Sequence, residues 1–525
     1  MTITLPRNLD LSVGKAAAEL DTYYLNDAFV PNAVFRSLIN AEDRNCYLIG
    51  RTGAGKSAAL HHVRRSHQSA TVTIDPASLS LNYIADLDIV QYFSAHSLDL
   101  LPFLVALWKH VMILELIRVA YLPNPSIART IRGALTGRGM SAETRQEAVE
   151  YFTAYKDTFF STTTEKARQF AHVIEGNFKD SFKVGAKFDP VTAELSGSNE
   201  SKEKTESKID REARLSQLTN SSQLFKLDSL IRHIKEDRER IRPDPVFILI
   251  DNADHDWKES GFANSVVHAL VDAAQAIAMI PAVKLTVALR PTSFDRIARG
   301  EQREKTRDLA RRIQWGKAEL LDVLNARMSK LSDDIGLNIP LSVELTLPSE
   351  PLHRTSAAEY VLKRTMMRPR DGILFLNHCL NQPRRELPLT WTELTTAEAA
   401  YSRERFDALC EEWETPFPGL ASVLEVFRHR PVRWTLSAFR PVVQRIADLC
   451  TDPDLVAASW LTDYCRWHLR NSRGRRGTWE ETYGGVVNLL YGLCFLGVEF
   501  QRATGPRFAY ELQAPERAVF GPKLE

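Results

Sequence analysis

The sequence predicts an α/β protein built on a parallel β-sheet with helices on both faces. Three observations predict it. Short apolar runs alternate with helix-like segments, a pattern that needs crossover helices between parallel strands. The first of these runs, CYLIG (Cys46–Gly50), passes straight into a glycine-rich turn and then a helix from Lys56 to about Arg65. The strongest run, PVFILID (Pro245–Asp251), ends on a carboxylate, at the strand end where open α/β sheets bind ligands.

The elements follow in order. ATVTID (Ala70–Asp75) reads as a second strand. Residues 85–180 carry long apolar stretches with few Gly or Pro and read as mostly helical. Residues 185–240 turn polar and charged, which fits a loop leading into a solvated helix. After PVFILID come an Ala-rich helix (about Ala263–Ile280) and the strand VKLTVALR (Val283–Arg290). A basic helix is expected to end at Arg311 and Arg312, with IQW (Ile313–Trp315) as a short last strand. The expected organisation is a lead-in over 1–41 and a core over 42–320 with an insertion at about 80–242. A helical lid over 321–385 and a mainly helical domain over 386–525 complete it. In that last domain VVNLLYGLCFLGVEF followed by RFAYEL outlines a winged helix.

Composition narrows the function. The 525 residues are 44% apolar and 25% charged, enough apolar material for packed cores. Lys and Arg total 67 against 66 Asp and Glu, so the net charge of +1 gives no global pull toward nucleic acid or anionic membrane. Six cysteines without C-x-x-C spacing argue against zinc ribbons and thiol–disulfide centres. The most apolar stretch, Leu100–Leu122, holds Lys109, His110, Glu115 and Arg118, too many ionisable groups for a membrane span. The expectation is a buried or partner-facing helix there. With no signal-like apolar run at the start, the expected location is the cytoplasm, away from membrane.

Gly50-Arg51-Thr52-Gly53-Ala54-Gly55-Lys56-Ser57 matches G-x-x-x-x-G-K-[ST], the P-loop. Glycines let successive backbone amides turn inward as an anion nest. The following helix presents its N-terminal amides to the same anion. Lys56 is placed for the β- and γ-phosphates, and the Ser57 hydroxyl for Mg²⁺. An acidic partner is expected on a neighbouring strand, and Asp251 fits it, holding Mg²⁺ through water. Asn252 follows directly and can hold a water without taking its proton, so the base stays open: Asp254 or Asp256 could orient the water, and a capping or surface role for Asp254 is the alternative. Arg290, ending the adjacent strand, is a candidate γ-phosphate sensor or, alternatively, a member of a structural ion pair. Arg311 and Arg312 are candidate fingers for a neighbouring subunit or, alternatively, a helix end complementing its dipole.

Arg368-Pro369-Arg370-Asp371 opens the helix GILFLNHCL. Pro369 and Asp371 suit a helix start, but two arginines there oppose the dipole. Arg370 is therefore expected to reach the γ-phosphate, with an ion pair to Asp371 or Glu386 as the alternative.

The blocks GRTGAGKSA, LWKHV, LIDNADHDW, VALRP, RIQWGKAELLDVLNARM and RPRD occur in this order. Together they resemble a family of bacterial P-loop ATPases related to the STAND, KAP and AAA+ groups, found on mobile elements or beside defence genes. The resemblance implies ATP binding and hydrolysis by an ASCE-type core with a helical lid. It also implies a switch-like role in anti-phage signalling, with a homo-oligomer or a nearby-encoded effector as partner. Related proteins carry Asp or Glu in place of Asn252, which implies slow turnover.

Two other signals carry less. Leu195-Ser196-Gly197-Ser198 only partly matches an ABC signature, and the chain holds no N-K-x-D motif for guanine. A P-loop kinase fits poorly because Lys56 and Asp251 lie far apart in sequence. Arg466, Trp467, Arg470, Arg473, Arg475, Arg476 and Trp479 mix cations with aromatics. They support a rival reading, a nucleic-acid-binding protein with a slow, structural nucleotide site; an ordinary solvated loop has the same composition.

Overall fold

The computed structural model describes residues 2–7, 9–76, 87, 90–91, 99–121, 140–153, 155, 162–183, 222–241, 243–251, 261–297, 303–414, 417–449, 460–461 and 479–497. These form two compact units. One comprises Val13–Ser342 with Arg368–Ile373, and the other Met1–Ser12, Val343–Met367 and the chain from Leu374 onward. The units interleave in sequence, unlike the four consecutive segments expected from the sequence. Residues 321–385 are largely helical but are shared between the two.

The first unit holds a five-stranded parallel sheet. Its strands are β2 (Tyr47–Ile49), β3 (Thr71–Ile74), β4 (Val246–Ile250), β5 (Val283–Leu289) and β6 (Ala310–Arg312), in the order β3-β4-β5-β2-β6. β4 and β5 are buried along their whole length, as expected for apolar runs sandwiched on both sides. Alternate residues serve opposite faces. Ile248, Ile250, Leu285 and Val287 join the larger core, and Phe247, Leu249 and Ala288 join the smaller one.

The smaller core is closed by α2 (Ala33–Ile39) and α3 (Lys56–Ser66), which follow α1 (Thr22–Asp27). The larger core is filled by α4 (Leu101–Tyr121), α5 (Ala142–Thr153), α6 (Thr163–Lys183), α7 (Ser222–Ile241) and α8 (Gly261–Ala278). The first four of these lie in the chain between β3 and β4. α4 packs on α8 and on β4, and is apolar on nearly every side, as a helix inside a core must be. Its charged residues are answered internally. Glu115 accepts from Lys166 at 2.8 Å and from Arg118 at 2.7 Å. Among the described residues no helix is long and apolar enough to cross a membrane.

The last strand departs from expectation. After α9 (Pro291–Ile297) and the short helix α10 (Arg303–Asp308), the strand is Ala310–Arg312, not Ile313–Trp315. Arg311 and Arg312 are thus strand residues, not a helix end. β6 borders the sheet and pairs only with β2 among the described strands, so one side stays wet enough for arginine. Arg311 is exposed, while Arg312 pairs with Asp295 at 3.1 Å. Ile313 instead packs into the smaller core. Helix α11 (Lys317–Asp334) ends the continuous part of this unit.

The second unit is mostly helical. A short antiparallel pair joins β1 (Ile3–Thr4) to β7 (Glu386–Leu387). Its helices include α12 (Val343–Thr346), α13 (Ala357–Arg364) and the later turns of α14 (Pro369–Leu380). α15 (Trp391–Trp413) opens with a Thr390–Glu393 capping box. α16 (Leu420–Glu425), α17 (Leu436–Asp448) and α18 (Trp479–Gly492) share a core around Leu420, Val443 and Leu490. The hairpin expected at RFAYEL lies outside the described residues, as do Arg466, Trp467, Arg470, Arg473, Arg475, Arg476 and the Leu195–Ser198 run.

Candidate functional site

The Gly50–Ser57 segment connects β2 to α3 at the C-terminal edge of the sheet. Gly50 N–H donates to Leu289 O at 3.1 Å, which ties the start of the loop to the end of β5. Ala54 N–H donates to Arg51 O at 3.0 Å and closes a turn. Gly53 (φ +78°) and Gly55 (φ +97°) take the left-handed conformation that side chains disfavour. A Cβ on Gly53 would also sit 2.9 Å from the Arg370 side chain. Gly55 then starts α3 with no side-chain cap, which leaves the positive end of the helix dipole unscreened, as an anion site requires. Lys56 folds over the loop, its Nζ donating to Gly50 O at 2.7 Å.

This loop lines a cavity of about 370 Å³, together with Ser57, Asp251, Arg290 and Arg370. Thr52, Gly53, Gly55 and Lys56 contribute from the loop itself. Among the described residues, Lys15, Lys56, Arg290, Arg327 and Arg370 line it with Glu19, Asp21 and Asp251, a balance suited to an anion. Asp251 and Arg290 follow the ends of β4 and β5, which are paired strands. One expectation is corrected here: the strand of Asp251 does not neighbour β2, because β5 stands between them. Asn252, Asp254 and Asp256 lie outside the described residues.

A second, smaller cavity of about 60 Å³ adjoins the loop on its apolar side. Leu25, Phe29, Phe35, Ala58, Trp315 and Val323 line it, and Gly55, Arg327 and Pro369 border both cavities.

The two arginines of the RPRD block separate in role. Arg368 takes the Asp371 partner at 2.5 Å, and Glu386 pairs with Arg384 at 2.9 Å. Arg370 lies in the cavity wall, its Nε donating to Ala16 O at 3.1 Å.

Several residues of the site carry no local sequence signal. Arg327 on α11 bonds Asp21 at 2.6 Å and Val13 O at 2.9 Å, fixing the segment that carries Lys15. Asp21 in turn accepts from Lys15 N–H at 2.7 Å. Gly14 (φ +111°) leaves room for this pair, since a Cβ there would lie 2.2 Å from the Arg327 guanidinium. Trp315 donates its indole N–H to Ala54 O at 2.8 Å and braces the loop from below. A tryptophan just past a strand is the one sequence hint of this contact.

Comparison with known proteins gives two likenesses. Residues 318–410, from α11 into α15, match the FunZ-associated C-terminal helical domain. The chain is 21% identical over 522 residues to a protein of Escherichia coli (strain K12) named "Putative transposon gamma-delta 80.3 kDa protein". That alignment covers 96% of this chain and 64% of the relative, so the chain spans about two thirds or less of the relative's length. No solved structure matches.

Proposed function

We propose that the protein is a Mg²⁺-dependent P-loop ATPase acting as a molecular switch. The observation that carries this reading is one cavity lined by Gly53, Gly55, Lys56 and Ser57 from the β2–α3 loop and by Asp251 and Arg290 from the ends of β4 and β5. Neither likeness speaks of nucleotides; the reading stands on this geometry and on the motif. An additional strand between the loop strand and the acidic strand also supports an ASCE-type core.

The residues present fit a nucleoside triphosphate. Gly53 and Gly55 take the positive φ that an amide nest requires, and Lys56 supplies the fixed cation for the β- and γ-phosphates. Ser57 and Asp251 would hold Mg²⁺, which when bound neutralises developing phosphate charge. Arg290 and Arg370 supply γ-phosphate contacts from the cavity wall. Asp254 remains our candidate for orienting the attacking water. With an amide at Asn252, hydrolysis is slow, and nucleotide state rather than flux is the signal. We further propose carriage on a mobile element, supported by the relative's printed name; a defence output rests on the resemblance alone.

Phosphate release from ATP, measured with Mg²⁺ and again with EDTA, tests the proposal. Wild type should turn over slowly only with the metal, and Asp251→Asn should lose turnover while still binding nucleotide. Metal-independent or Asp251-independent turnover contradicts it. Repeating the assay with duplex DNA and RNA separates the switch from the rival nucleic-acid clamp.

A further inference from the structure

We infer that Arg368 is a positioning residue of the nucleotide site, acting on the main chain of the loop and not on the nucleotide. The inference rests on the ATPase reading above. Arg368 is 4% exposed and Asp371 is fully buried. One edge of the guanidinium, Nε, donates to Asp371 Oδ2 at 2.5 Å, and another, Nη1, donates to Thr52 O at 3.0 Å. Two residues on, the Arg370 amide donates to Gly53 O at 3.4 Å. The opening of α14 thus holds two consecutive carbonyls of the glycine-rich loop.

Peptide planarity turns this into control of the anion nest. A trans peptide points its N–H opposite its C=O. Holding Thr52 O on the Arg368 side therefore fixes the direction of the Gly53 amide, while the next amide, Ala54 N–H, is already held by Arg51 O at 3.0 Å. Gly53 has no Cβ and a positive φ, so its own torsions restrain it weakly, and an external tether matters most there. Arginine suits the task because its rigid fork serves two acceptors at once. The buried Asp371 offsets the cost of a cation at a helix start and keeps the fork aimed.

This role differs measurably from that of Arg370. A residue that shapes the amide nest supports any nucleotide bearing a β-phosphate, so ATP and ADP should suffer together when it is lost. A residue that touches the γ-phosphate should affect ATP alone.

The test is calorimetric titration of the full chain with ATP and with ADP, for wild type, Arg368→Gln and Arg368→Lys, with thermal melting alongside. Loss of a charge-assisted bond predicts about tenfold or greater weakening for both nucleotides in Arg368→Gln. The ATP/ADP affinity ratio should stay within about twofold of wild type, and Arg368→Lys should recover part of the loss. If Arg368→Gln shows no cooperative melting, Arg368→Lys supplies the same comparison, with a smaller loss shared equally by the two nucleotides. Unchanged affinity in a folded variant, or loss confined to ATP, overturns the inference. Wild type that binds neither nucleotide overturns the ATPase reading itself, and is recognised because it needs no variant.

Discussion

Arg327 and Asp21, 306 residues apart in sequence, meet at 2.6 Å with both side chains almost fully buried. The pair joins helix α11 to the segment that bears Lys15, and both residues border the larger cavity. Burying two charges costs solvation that their mutual contact returns, helped by the Val13 carbonyl on Arg327 and the Lys15 amide on Asp21. Removing one partner strands the other. Arg327→Ala is therefore expected to destabilise the protein by about 3–5 kcal/mol. Urea denaturation checks this; a loss below about 1 kcal/mol would mean that Asp21 finds other compensation. Gly14→Ala should also destabilise, because it strains φ and drives a methyl into the same pair.

Arg370→Ala should spare ADP binding and weaken ATP binding, lowering the ATP/ADP affinity ratio by about tenfold, the worth of one charge-assisted contact. The substitution leaves the Arg368–Asp371 pair in place. Competition binding of the two nucleotides reads the ratio directly. A ratio equal to that of wild type, with unchanged turnover, would remove Arg370 from the γ-phosphate and leave it a structural link to Ala16.

A pH dependence should arise inside the larger core. His110 on α4 is fully buried, accepts or donates a 2.8 Å bond with Tyr151 Oη, and stacks on Phe170. Burial, with the nearby Lys166 charge, pushes its pKa down to about 3. The folded protein thus keeps His110 neutral, while the unfolded chain protonates it below about pH 6.5. Its contribution is complete above pH 6.5 and is lost progressively as pH falls toward 3. The stability gap between wild type and His110→Gln should accordingly narrow by about 2 kcal/mol between pH 7.5 and 5. A gap that stays constant over that range would show that His110 titrates alike in both states.

How much of this was legible in the sequence follows from the range of each interaction. β4 with Asp251 and the β2-loop-α3 unit are local patterns, an apolar run with an endpoint and glycines with a helix behind them, and both were readable within a residue or two. β6 was misplaced by three residues because it lies at the sheet border. There Arg311 and Arg312 are tolerated, and the apolar Ile313 and Trp315 next to them serve the core and the loop instead. The RPRD block announced a function for its arginines, since a helix start repels cations, and Arg370 does line the cavity. The assignment of Arg368 to Thr52 needed three-dimensional contact, as did Asp21 with Arg327. No residue pattern in either segment encodes a partner 306 positions away.

Under the proposed function, the Gly50–Ser57 loop binds the phosphates of ATP through Lys56. Isothermal titration of wild type and Lys56→Ala with ATP and Mg²⁺ tests it most directly. Wild type should bind ATP saturably, near one per chain. Lys56→Ala should weaken that binding by at least about tenfold, with an unchanged melting temperature in the absence of nucleotide. Lys56→Ala binding ATP within twofold of wild type, or no binding by wild type at all, would contradict it.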